Sequence, residues 1–151
     1  MTEHQSLPVP AEVAAVFAAF PPDVRRRLEH IRGLIFVTAA ETPGVGPLTE
    51  TLKWGEPVYL TQESGSGTTI RLGWIPTEDR TCAILFNCRT TLVETFREQF
   101  SDVFGYQKNR AILLDPAVPL PVDELSACLA MALTYHQRRK AARATSTATK
   151  R

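Results

Sequence analysis

The sequence predicts an α+β fold: an antiparallel sheet of about four to five strands flanked by about four helices. Three observations carry this. Apolar residues recur at helical spacing from Val13 to Ile35. Three extended runs then follow between Val58 and Asn87, separated by short stretches of turn residues. After them come a helical run, one more extended run and a last helical run. Strands joined by short turns pair antiparallel, and helices of this kind must cover a sheet face. The chain has 151 residues, 44% of them hydrophobic and 22% charged. That suits one domain, which we place at 11–140, able to bury roughly 68–70% of its unfolded surface without metal or disulfide.

The elements are predicted as follows. Residues 1–10 are polar with two prolines and read as a flexible N-terminal arm. Val13, Val16, Phe17 and Phe20 mark a first helix, and Pro21-Pro22-Asp23 breaks and restarts the chain. A second helix runs from Pro22 to about Ala40. Its buried stripe is Val24, Leu28, Ile31, Leu34 and Ile35, and Arg25, Arg26, Glu29 and Arg32 form a solvated face. Thr42 to Pro47 is a loop. Lys53 to Pro57 then turns into a strand at Val58–Leu60, with Gly55 and Pro57 shaping the turn. Thr68–Ile75 alternates Ile70, Leu72 and Trp74 against Thr69, Arg71 and Gly73, a strand with one buried face. Pro76 to Asp79 is a hairpin turn. Thr81–Asn87 is apolar on both parities and reads as a central strand. Thr91 and Glu94 have capping-box spacing and open a helix through about Phe100. Phe104–Gln107 is a connector, Arg110–Leu114 a short strand, and Val122 to about Arg139 the last helix. Residues 141–151 are small, polar and basic, and read as a disordered tail.

Bulk properties narrow the function. A net charge of +1 speaks against a nucleic-acid partner held by a broad basic field. No basic start precedes an apolar run, and no run approaches the ~20 residues of a membrane span, so no membrane partner is expected. The three cysteines are an odd count. Cys82 and Cys88 on one strand would lie roughly 20 Å apart, too far to bridge. Reduced thiols in a cytoplasmic protein are the simpler reading.

Few motifs carry chemistry. His4, His30 and His136 have no ligand-spaced Cys or His partner, so no metal and no cofactor is assigned. The cationic end of a helix accounts for His136. Gly65-Ser66-Gly67 lacks the Lys-Ser/Thr of a nucleotide loop, and Gly44-Val45-Gly46 follows a helix instead of a strand. Glu50 and Glu56 flank the turn at Trp54 without forming an acid pair of known type. Cys88 ends a strand beside Arg89 and just before a helix start. That setting favours a thiolate, although a buried or half-buried structural thiol is the simpler reading. What remains is either a pocket or simply core: Trp54, Tyr59, Trp74 and Phe86 supply aromatic area that a core would equally use, and Lys53, Arg71, Asn87, Arg89 and Arg110 supply polar points suited to an anion.

The order of these elements, the run Leu52-Lys53-Trp54-Gly55-Glu56-Pro57-Val58-Tyr59 and the later Arg110-Ala111-Ile112-Leu113-Leu114 resemble the YdhG-like family, domain of unknown function 1801. The resemblance covers roughly Pro10 to Lys140. It implies an antiparallel sheet flanked by helices and a cytoplasmic bacterial protein. Some members are described as frataxin-like iron chaperones. That role calls for an acidic surface of oxygen ligands, whereas Glu50, Glu56, Glu63, Glu78, Asp79, Glu94, Glu98 and Asp102 are scattered. Three readings follow. The first is a non-enzymatic module that binds a small anionic or aromatic ligand, or a protein, at Lys53, Trp54, Tyr59, Arg71, Trp74, Asn87 and Arg89. The second is an iron chaperone, and the third a thiol enzyme using Cys88. A homodimer stays open.

Overall fold

A computed structural model of the chain describes residues 8–76 and 80–149. Most of the expected arm (residues 1–7), the turn residues Thr77–Asp79 and the last two residues of the expected tail lie outside the described residues.

Two helices lead, α1 (Ala11–Ala19) and α2 (Pro22–Glu41). Pro22 stands in the first turn of α2, where its missing N–H has no intrahelical partner to lose. Val24, Leu28, Ile31 and Ile35 are fully buried, as their spacing requires. Arg25 and Glu29 pair at 3.2 Å on the exposed face. Arg32 departs from the solvated face expected of it. It is buried, because a carboxylate from the first strand reaches it from below.

The sheet has six strands, slightly more than expected: β1 (Thr49–Lys53), β2 (Glu56–Leu60), β3 (Ile70–Ile75), β4 (Thr81–Phe86), β5 (Gly105–Gln107) and β6 (Ala111–Leu114). Their order is β1-β2-β3-β4-β6-β5, antiparallel throughout. The architecture is α+β, as the sequence predicts. The strands added to the expected set are the outermost ones. β1 is the polar run Thr-Glu-Thr-Leu-Lys, and β5, expected as a connector, is only three residues long. The first hairpin turns on two residues alone, because Lys53 pairs with Glu56. Trp54 (φ 51°) and Gly55 (φ 76°) both take left-handed backbone, the signature of a type I′ turn matched to strand twist. Pro57 belongs to β2 opposite Leu52 and not to the turn.

Helix α3 (Leu92–Gln99) follows β4, then α4 (Val122–Leu133) and α5 (Tyr135–Thr149) close the chain. The capping box at Thr91 does not form. Thr91 sits at φ −93°, ψ 12°, outside the extended conformation that aims a cap side chain, and its N–H donates instead to the Tyr135 hydroxyl. The expected single last helix breaks at Thr134. There the β2–β3 loop reaches in: Thr68 N–H donates to Ala132 O, Ser66 Oγ to Leu133 O, and Gln137 N–H to Ser66 O. Gly67 is required at this crossing, since a Cβ would strike the Ala132 and Leu133 carbonyls. Where a disordered tail was expected, α5 runs on to Thr149. Alanine, arginine and lysine are strong helix formers and sustain it although residues 136–145 are exposed.

Strand alternation gives the sheet two unlike faces. Tyr59, Ile70, Leu72, Cys82, Ile84, Phe86, Ile112 and Leu114 join the helices in one core. The opposite face carries Val58, Ala83 and Ala111, which are buried but stand apart from that core, and the half-buried Leu60, Ile75, Leu85 and Leu113.

Candidate functional site

The type I′ turn places Trp54 at the rim of this second face. Tryptophan is an unusual occupant. Left-handed backbone suits Gly, Asn or Asp, and a bulky residue there costs about 1–2 kcal/mol. The indole is also 85% exposed, the most exposed of the large hydrophobic side chains among the described residues. Arg71, from β3, holds its guanidinium 5.3 Å from the ring centre, a cation–π contact on one side of the indole.

From Trp54 a groove of about 390 Å3 runs across the second face, lined by Lys53, Trp54, Val58, Arg71, Leu85, Asn87, Cys88 and Arg110. The register explains its floor, because Val58, Arg71, Leu85 and Ala111 stand opposite one another on β2, β3, β4 and β6. Three strand spacings make that row about 14 Å long. Such a volume lies within the range of small-molecule sites, at the lower end.

The polar groups of the groove are unevenly matched. Glu56, opposite Lys53 on the same face, approaches Arg71 with Oε1 3.0 Å from Nε. The geometry is an ion pair but not a hydrogen bond, so the buried Arg71 Nε has no hydrogen-bond partner. The other carboxylate oxygen of Glu56 fills the space above Gly73 where a Cβ would sit. Burial pushes the Glu56 carboxyl above its ordinary range, opposed by Arg71 and Arg110. Asn87 accepts from the Arg89 N–H at 2.9 Å, which turns the chain sharply after β4. Cys88 is exposed in that turn, so the half-buried thiol expected by continuing the strand is not what forms. The chain leaves the strand at Phe86.

Of the residues singled out from the sequence, Lys53, Trp54, Arg71, Asn87 and Arg110 meet in this groove, and Phe86 contributes an edge. Arg89 is exposed in the neighbouring turn, beyond the lining. Tyr59 and Trp74 are on the other side of the sheet. Trp74 packs against the helical core. Tyr59 is wholly buried, edge-on to Phe36 at 5.7 Å, and its hydroxyl donates to Glu50 Oε2 at 2.8 Å. Glu50 also accepts from Arg32 Nε at 2.6 Å and Nη2 at 2.8 Å. This buried Arg32–Glu50–Tyr59 network ties α2 to β1 and β2. Burial, reinforced by the negative Glu50, pushes the Tyr59 hydroxyl far above its ordinary value. The sequence offered one hint of it, the Glu50 that falls on the core parity of β1.

A larger hollow of about 640 Å3 lies between α1 and α2, lined by Val9, Phe17, Arg25, Glu29, His30, Arg32 and Gly33 among others. Two of its three arginines are already engaged, Arg25 with Glu29 and Arg32 with Glu50, and Pro8 at its margin offers its carbonyl to Arg32. The groove at Trp54 is therefore the stronger candidate. Among the described residues no cluster of three or more His, Cys, Asp or Glu side chains is placed to hold a metal ion. No helix of the described residues is long and apolar enough to cross a membrane.

No known family profile matches the sequence, and no curated protein matches it. Its fold is similar to the crystal structure of a protein from the DUF1801 family, YdhG of Bacillus subtilis. The TM-score is 0.54 at 16% identity, over 81% of this chain and 89% of that one. The likeness is one of fold, an α+β sheet flanked by helices.

Proposed function

We propose that this chain is a YdhG-like member acting as a non-enzymatic binding module, which holds a small anionic, aromatic ligand in the groove beside Trp54. The observation that carries the reading is Trp54 itself. A large apolar ring is held in costly left-handed backbone and presented to solvent at the head of a cationic groove. Packing gives no reason for it, and local strain of this kind concentrates at binding sites. Lys53, Arg71 and Arg110 supply the charge, Asn87 a polar point, and Val58 and Leu85 an apolar floor. The iron-chaperone reading has no comparable support, since the acids nearest the groove reduce to Glu56, already engaged with Arg71.

The test is a thermal-shift panel of aromatic carboxylates and phosphates on the full chain. Members that bind raise the melting temperature of the wild type, and Trp54→Ala loses the response while keeping its fold. No shift across the panel, or equal shifts in Trp54→Ala, rejects the reading.

A further inference from the structure

We infer that the groove selects a phosphorylated planar aromatic, the chemistry of a nucleoside monophosphate, with the ring against Trp54 and the phosphate among Lys53, Arg71 and Arg110. This rests on the reading of the groove just given and adds the ligand class.

Charge decides between anions. Lys53, Arg71 and Arg110 bring three positive charges to the groove, and Glu56 offsets one. Two are left over. A monocarboxylate would leave one cation unanswered, whereas a phosphate monoester carries about −1.5 to −2 charges at pH 7. Guanidinium groups also match phosphate oxygens geometrically.

The placement of the cations points the same way. Arg71 stands against the Trp54 ring, and Arg110 bears on the same Glu56 carboxylate as Arg71, so the positive charges converge beside the ring. The floor between them is apolar, with Val58 and Leu85 contributing no charge. A base on Trp54 joined through a sugar to a phosphate lets the ring and the charge occupy these neighbouring places. An open antiparallel sheet with an aromatic platform and flanking cations is a recurrent solution for holding bases, because stacking tolerates any planar ring.

The experiment uses the full chain with Trp74→Phe, so that Trp54 is the only tryptophan and its fluorescence reports on the groove. AMP, UMP, adenosine, inorganic phosphate and indole-3-acetate are titrated separately. AMP or UMP is expected to quench Trp54 saturably, with adenosine and inorganic phosphate each about tenfold weaker or more. Arg110→Gln, at an exposed position, is expected to weaken the nucleotide about tenfold and adenosine less than twofold; Arg71→Gln should do the same. If indole-3-acetate binds as tightly as the nucleotides, or Arg110→Gln leaves nucleotide affinity unchanged, the phosphate assignment falls and the aromatic-anion reading stands; if uncharged adenosine binds as tightly, both fall. If none of the five perturbs Trp54, and the thermal-shift panel is also silent, both fall.

Discussion

Replacing Glu50 with alanine should be among the most damaging single changes in this protein. The carboxylate is 5% exposed and its partner Arg32 7%. It accepts two bonds from the guanidinium and one from the Tyr59 hydroxyl. Removing it leaves the guanidinium with the Pro8 carbonyl at 3.2 Å and the Phe36 ring at 4.9 Å, and leaves the buried phenol without an acceptor. Breaking a buried pair from one side costs about 3–5 kcal/mol, and an orphaned hydroxyl about 1–3 kcal/mol. The two overlap, so about 4 kcal/mol is expected. That is a large share of the ~5–15 kcal/mol that holds a domain together. In urea, with a slope of roughly 2 kcal/mol per M, the midpoint should fall by about 2 M. The triple change Arg32→Met, Glu50→Leu, Tyr59→Phe removes every charge at once and should recover most of the loss. A loss under about 1 kcal/mol for Glu50→Ala, or a triple variant no better than the single one, would refute the argument that the cost is an abandoned buried charge.

Two glycines should answer to alanine with opposite signs. Gly67→Ala forces a methyl into the Ala132 and Leu133 carbonyls and should cost about 2–3 kcal/mol, while Gly33→Ala, mid-α2 with open space around it, should gain about 0.5–1 kcal/mol in the same urea assay. Trp54→Asn gives the type I′ turn a preferred residue; a gain of about 1 kcal/mol together with loss of ligand response is expected, and unchanged stability would show that the turn is unstrained. Burial pushes the Cys82 and Cys128 thiols up to about 12. Both are protonated in either state below about pH 8.5, so stability is unaffected there. Above it the unfolded chain sheds protons that the folded one keeps, and stability should fall by up to about 1.4 kcal/mol per pH unit per thiol, seen as a declining melting temperature. A thiol reagent should label Cys88 alone in the native protein and all three cysteines in denaturant, and labelling of a second thiol without denaturant would contradict the burial of the other two.

The sequence made the helices legible where an apolar stripe ran long enough to be read, as in α2. It also made β3 and β4 legible through their alternation. It hid β1 and β5 because edge strands carry polar residues on both sides and depend on pairing, not burial, to be extended. The site was half legible for a related reason. Lys53, Trp54, Arg71 and Asn87 do meet, yet grouping them with Trp74 ran against the alternation that puts Arg71 and Trp74 on opposite faces. Tyr59 was misplaced by the turn. With a two-residue turn at Trp54-Gly55, Lys53 faces Glu56, and Tyr59, three positions on, must point the other way. Arg32 shows a different limit. A charge on a helix face reads as solvated until the partner that buries it, here eighteen residues away, is placed in space.

The loop that interrupts the last helix has a consequence in time as well as in space. The amides of Thr68 and Gln137 lie in different parts of the chain but are both held through the same four-residue crossing, one by Ala132 O at 3.0 Å and the other by Ser66 O at 2.9 Å. Neither bond survives if Ser66 and Gly67 withdraw from Thr134. In hydrogen exchange the two amides should therefore open at a common rate and with a common free energy, unlike their immediate sequence neighbours. The β2–β3 loop then acts as one latch on the junction between α4 and α5, beside the Thr91–Tyr135 bond that holds the first residue of α5.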